Sequence, residues 1–130
     1  MKRNMLFILA LMVFICLSLS AQKAEDMVGT WIGTATLEGE ADPNDLTLVL
    51  ALEDGVLTGH MTDQYGTMNE TAIEEARLEE GVFTFSLNLE TPQGQFLLKF
   101  TMNVSGDTME GKLEVPDMGL GGTWEATKQK

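Results

Sequence analysis

The sequence predicts an all-β fold: a single domain of eight antiparallel strands running up and down in a closed meander barrel. Three observations carry this reading. Apolar residues alternate with period two from Val28 onward, and that rhythm means strands with one buried face. Tight turns, most of them bearing glycine, separate the alternating runs and fix registers that keep the apolar residues on one side. The first and last runs share a triplet, Gly29-Thr30-Trp31 and Gly122-Thr123-Trp124, which lets the two lie antiparallel and close the sheet.

Ahead of the first strand, residues 1–21 predict a secretory signal peptide. Lys2 and Arg3 precede an apolar run from Met5 to Leu19, and small Ser20 and Ala21 follow it. The run has fifteen residues, short of the roughly 20 that a permanent membrane helix needs, so no stable span is expected after leader removal. Cleavage after Ala21 leaves Gln22 at the new N-terminus, whereas cleavage after Ser20 puts small Ser18 at the −3 position. Cys16 is the only cysteine and sits inside the apolar run, not behind a small-residue lipobox, so it reads as leader filler. The expected organisation is a leader over 1–21 and one barrel domain over 22–130, in a periplasmic or secreted protein. Taking 21 residues from 130 leaves 109, enough for a core of ordinary size that packing alone must hold.

Strands are expected at 28–38, 45–53, 56–62, 68–79, 82–90, 95–104, 108–115 and 122–129. Leu46, Leu48, Leu50 and Leu52 form one inner row, and a two-residue Asp54-Gly55 turn then sets Leu52 opposite Leu57. Glu80-Gly81 does the same for Leu78 and Phe83; indeed Leu52 to Thr58 reads almost as Leu78 to Thr84. Phe83, Phe85, Leu87 and Leu89 form the next row, and a four-residue loop over Thr91-Pro92-Gln93-Gly94 brings Leu89 to Phe96. Phe100, Met102 and Val104 continue it, and the Ser105-Gly106-Asp107 turn places Val104 opposite Met109. Gly33, Gly59 and Gly111 fall on the inner face, where a tightly coiled barrel needs small residues.

The segment Asn69 to Gly81 carries conflicting signals, with an N-cap candidate, good helix formers and a terminal glycine. A helix ending at Gly81 would break the Leu78–Phe83 hairpin, so a strand is expected. A bulge near Glu74 would turn Ile73 inward and leave Glu74 in water.

The chain carries 8 basic against 20 acidic residues, a formal charge of −12. Loss of Lys2 and Arg3 with the leader leaves 6 against 20, or −14. A surface of this sign repels nucleic acid and anionic membranes, which are therefore not expected as partners.

Catalytic parts are scarce, and no enzyme is expected. His60, the one histidine, falls on the outer face, Ser86 faces outward and Ser105 belongs to a turn, so no nucleophile with its base can be assembled. Glu40, Asp42, Asn44 and Asp45 cluster in one loop, yet Leu46 stands where a regular calcium loop needs an oxygen ligand. No metal or cofactor is expected. The candidate ligand-binding residues are the inward aromatics Trp31, Phe83, Phe85, Phe96, Phe100 and Trp124. An eight-stranded barrel is just wide enough to be filled by side chains or to hold one small ligand. Which applies depends on whether Gly33, Ala35, Gly59, Ala76 and Gly111 cluster or interleave with the rings.

Gly29-Thr30-Trp31 followed by Asp54-Gly55-Val56-Leu57-Thr58-Gly59 resembles the start of the calycin barrels, lipocalin-like and avidin-like alike. Gly106 to Gly111 and Gly121 to Lys128 are similar to the closing strands of small secreted bacterial lipocalin-like domains. The avidin-like biotin site is a box of several tryptophans, and with only Trp31 and Trp124 here biotin binding is not implied. The resemblance implies an exported, non-enzymatic binding module holding a small apolar ligand in its barrel. The alternative is an interaction or accessory domain with a filled core, acting on an envelope protein or glycan.

Overall fold

The computed structural model describes residues 23–39 and 42–130; the expected leader over 1–21 lies outside the described residues, as does Glu40 of the acidic loop. A single helical turn, α1 (Ala24–Met27), leads into β1 (Gly29–Leu37), β2 (Asn44–Glu53) and β3 (Val56–Asp63). Two short strands follow, β4 (Thr71–Ala72) and β5 (Glu74–Glu79), then β6 (Val82–Thr91), β7 (Gly94–Ser105) and β8 (Thr108–Val115). A 3-10 turn over Pro116–Met118 leads to β9 (Leu120–Lys128). No helix among the described residues is long and apolar enough to cross a membrane.

All pairings are antiparallel, and one sheet runs in the order β4-β3-β2-β1-β9-β8-β7-β6-β5. Its two margins, β4 and β5, are consecutive in the chain and separated by Ile73 alone. The sheet therefore curls round on itself into an up-and-down, nearly closed barrel. The first and last strands meet as their shared triplets suggested, with Ala35 opposite Trp124 and Trp31 opposite Lys128.

Among the described residues the strands number nine, not the expected eight. The strand anticipated at 68–79 begins late, because residues 64–70 are turns, and it divides at Ile73. The division has a backbone cause. Glu75 takes a positive φ of 54°, and the pairing of β5 with β6 slips between Glu74 and Arg77. That extra residue re-aims the chain, so that β4 pairs with β3 through His60 and Met61 while β5 pairs with β6. The Ile73 amide donates to the Gly59 carbonyl at 3.0 Å, and its side chain is buried while Glu74 is exposed, as a bulge at this place demands.

The turn-derived registers hold. Leu52 faces Leu57, Leu78 faces Phe83, Leu89 faces Phe96 and Val104 faces Met109. The connection at Pro92-Gln93 is tighter than expected, since Thr91 and Gly94 pair across it. Gly33, Gly59 and Gly111 do mark close approaches. A Cβ on any of them would strike a backbone carbonyl of the next strand, that of Glu125, Val49 or Thr101 respectively.

The packed part of the core lies toward the α1 end of the barrel. Phe83 and Phe85 lie 5.1 Å apart between ring centres, Phe85 stacks on Phe100 at 4.5 Å and 6°, and Phe100 meets Trp124 edge-on at 5.9 Å. Each such pair adds about 0.5–1.5 kcal/mol to the gain from burying the rings. Met27 and Trp31 are fully buried, and the Trp31 indole N–H donates to the Met27 carbonyl at 2.9 Å. One turn of helix thus plugs this end.

Candidate functional site

At the opposite end the side chains of the inner faces leave space between them. Here β1 finishes at Leu37, β2 starts at Asn44, β3 finishes at Asp63 and β9 starts at Leu120, and the β6–β7 turn lies beside them. The space between them is a cavity of about 340 Å³, within the usual range for small-molecule sites, which begins at about 300 Å³. Leu46, Leu89, Leu98, Leu113 and Val115 form much of its wall. Ala35 and Phe100 also line it, and Phe100 rests on the ring stack below. Ala35 is the one member of the expected small-residue set that opens room; Gly33, Gly59 and Gly111 are spent on strand contacts. Filled and hollow are therefore both realised, at opposite ends of one barrel.

The six inward aromatics divide accordingly. Phe96 and Phe100 line the cavity, whereas Trp31, Phe83, Phe85 and Trp124 pack in the solid half and do not reach it. Tyr65 and Met118 stand at the mouth and are 62% and 53% exposed, among the most solvent-exposed large apolar residues of the described chain.

One corner of the cavity is polar. Asn44 and Asp63 sit at the open ends of the inner rows Asn44-Leu46-Leu48 and Leu57-Gly59-Met61-Asp63, so both point inward by the same alternation as their apolar neighbours. Asp63 is only 8% exposed. One of its carboxylate oxygens accepts the Met68 amide at 3.0 Å, and the other accepts the Asn44 side-chain amide at 3.3 Å. The Asp63 amide returns a bond to the Met68 carbonyl at 3.2 Å, which ties the 64–67 turn across the mouth and buries Met68 against the cavity. Asn44 Oδ1 is buried and has no hydrogen-bond partner among the described residues. Turning the amide over would set that oxygen against the Asp63 carboxylate, so the chemistry of the pair fixes its orientation.

Neither Asn44 nor Asp63 stood among the expected site residues, because the strands anticipated at 45–53 and 56–62 each stop one residue short of them. Extending the period-two rows by one position would have found both. Asp45, their neighbour in the acidic loop, turns the other way and accepts the Thr34 hydroxyl at 3.1 Å. No group of three or more His, Cys, Asp or Glu is gathered as a metal site among the described residues. His60 lies on the outer side of β3 opposite Ala72. Ser86 lies in an outward register position yet is buried, because β5 covers it; its hydroxyl donates to the Glu74 carbonyl at 3.4 Å.

Comparison with protein-family models, curated proteins and solved structures gives no match for this chain.

Proposed function

We propose that this chain is an exported, lipocalin-like, non-enzymatic binding module that holds one small, largely apolar molecule in the open end of its barrel. The observation that carries the reading is the half-filled interior: stacked aromatics and α1 close one end, and an aliphatic cavity of about 340 Å³ opens at the other. A domain selected only for stability would gain by filling such a space, since each unfilled methylene of a core forfeits burial and packing energy. The up-and-down topology, the plugged base and the loop-rimmed mouth agree with a lipocalin-like barrel. The export reading rests on the charged, apolar and small-residue order of residues 1–21.

The test uses a neutral environment-sensitive dye such as Nile red with the leaderless chain. Binding should raise and blue-shift its emission with one-to-one stoichiometry. Ala35→Phe, which directs a ring from β1 into the cavity, should abolish the signal while the far-ultraviolet spectrum and melting temperature stay close to those of the parent. Equal dye binding by both proteins would rule the cavity out as the binding site.

A further inference from the structure

Resting on that reading, we infer that the preferred occupant is an amphiphile with a short apolar chain and a cationic, hydrogen-bond-donating head, a primary alkylammonium in chemical class. The chain lies along the aliphatic wall, and the head meets Asn44 and Asp63.

Three features select this head. The charged side chains that line the cavity are Asp42 and Asp63, both acidic, and no lysine, arginine or histidine lines it among the described residues. Asp63 is more than nine-tenths buried and holds two neutral donors, the Met68 amide and the Asn44 amide, with no cation paired to it among the described residues. An incoming ammonium would form the charge-assisted bond that this carboxylate lacks. Asn44 Oδ1 is a buried acceptor with no partner among the described residues, a condition that costs desolvation energy unless a donor arrives.

Other heads fit less well. An ammonium offers three donors and no acceptor, which matches a corner whose unpartnered atom, Asn44 Oδ1, is an acceptor and whose charge is the Asp63 carboxylate. A carboxylate head would bring a third negative charge to Asp42 and Asp63 and offer nothing to Asn44 Oδ1. An alcohol supplies a single donor without charge. The strongly acidic chain, with 20 acidic and 8 basic residues overall, further favours encounter with cations.

The experiment is calorimetric titration of the leaderless chain with octylammonium, octanol and octanoate at one ionic strength. Octylammonium should bind at least about tenfold tighter than octanol, with octanoate weakest. Asp63→Asn should cost the ammonium most of its advantage over the alcohol. Should that variant unfold, Asp42→Asn at the mouth serves in its place, since Asp42 is the other carboxylate lining the cavity; it should lower the ammonium preference by a smaller factor. Ala35→Phe should abolish binding of all three. Octanol binding as tightly as octylammonium would overturn the inference while leaving the apolar cavity reading intact. Ammonium binding that survives Ala35→Phe would also overturn it, by showing attraction to the acidic surface alone. Absence of heat with all three would end the reading of the cavity as a binding site along with the inference.

Discussion

Phe85 sits between Phe83 and Phe100 and is 3% exposed, so a single ring couples the solid half of the barrel to the residue that lines the cavity. Truncation at this position removes two ring contacts at once and leaves a void that rigid strands cannot collapse around. Phe85→Ala should lose about 3–5 kcal/mol of stability, read as a lowered urea midpoint with unchanged slope. A midpoint equal to the parent's would contradict the inward packing of β6. Residues of this kind were legible from period alone, because a ring flanked by Thr84 and Ser86 has one face on which to be buried. Asn44 and Asp63 were harder to read. A polar residue at the end of an apolar row looks like the first residue of a loop, although the register that the Asp54-Gly55 turn sets continues to Leu46 opposite Asp63.

At the scale of elements, the hairpins carry the most reliable information, since a two-residue turn dictates every pair along both its strands. Asp54 and Gly55 both take positive φ, 52° and 80°, the geometry of a type I′ turn whose twist suits the flanking strands. Gly55→Val forces a β-branched residue into that conformation and should destabilise the fold by about 1–2 kcal/mol or more, whereas Gly55→Asn should retain most of the stability. Thermal melts of the pair provide the check; equal melting temperatures would mean that the turn does not set the β2–β3 register. Sequence patterning was weakest over residues 64–79, and the reason is physical. The turn over 64–67 is held by the Asp63 carboxylate, a contact reaching back to the end of β3, and the break at Ile73 depends on Glu75, a residue type with no intrinsic preference for positive φ. The bulge near Glu74 was legible because the Leu78–Phe83 hairpin demands a strand with Ile73 inward, whereas the division into β4 and β5 comes from closing the barrel. Helix α1 escaped notice for a similar cause: four residues are too few to show a period, and they stay helical because Met27 is buried beneath Trp31.

For the molecule as a whole, the two tryptophans are fully buried and lie on β1 and β9, the pairing that joins the two ends of the meander. Their emission should be blue-shifted and shielded from acrylamide in the native state. On unfolding it should shift red in a single transition coincident with the loss of far-ultraviolet signal, since neither ring can be wetted without parting those strands. A red-shifted component that appears ahead of the backbone transition would show that the β1–β9 seam opens independently.

The seam also governs how the protein can be handled. The Gln129 amide bonds the Thr30 carbonyl at 2.8 Å and the Lys128 ammonium bonds the Asp26 carbonyl at 2.9 Å, so the polypeptide enters and leaves the barrel side by side at the plugged base. A tether, surface support or fusion partner joined at residue 23 or residue 130 therefore hangs below the base, and the cavity stays turned toward whatever solution it is asked to sample.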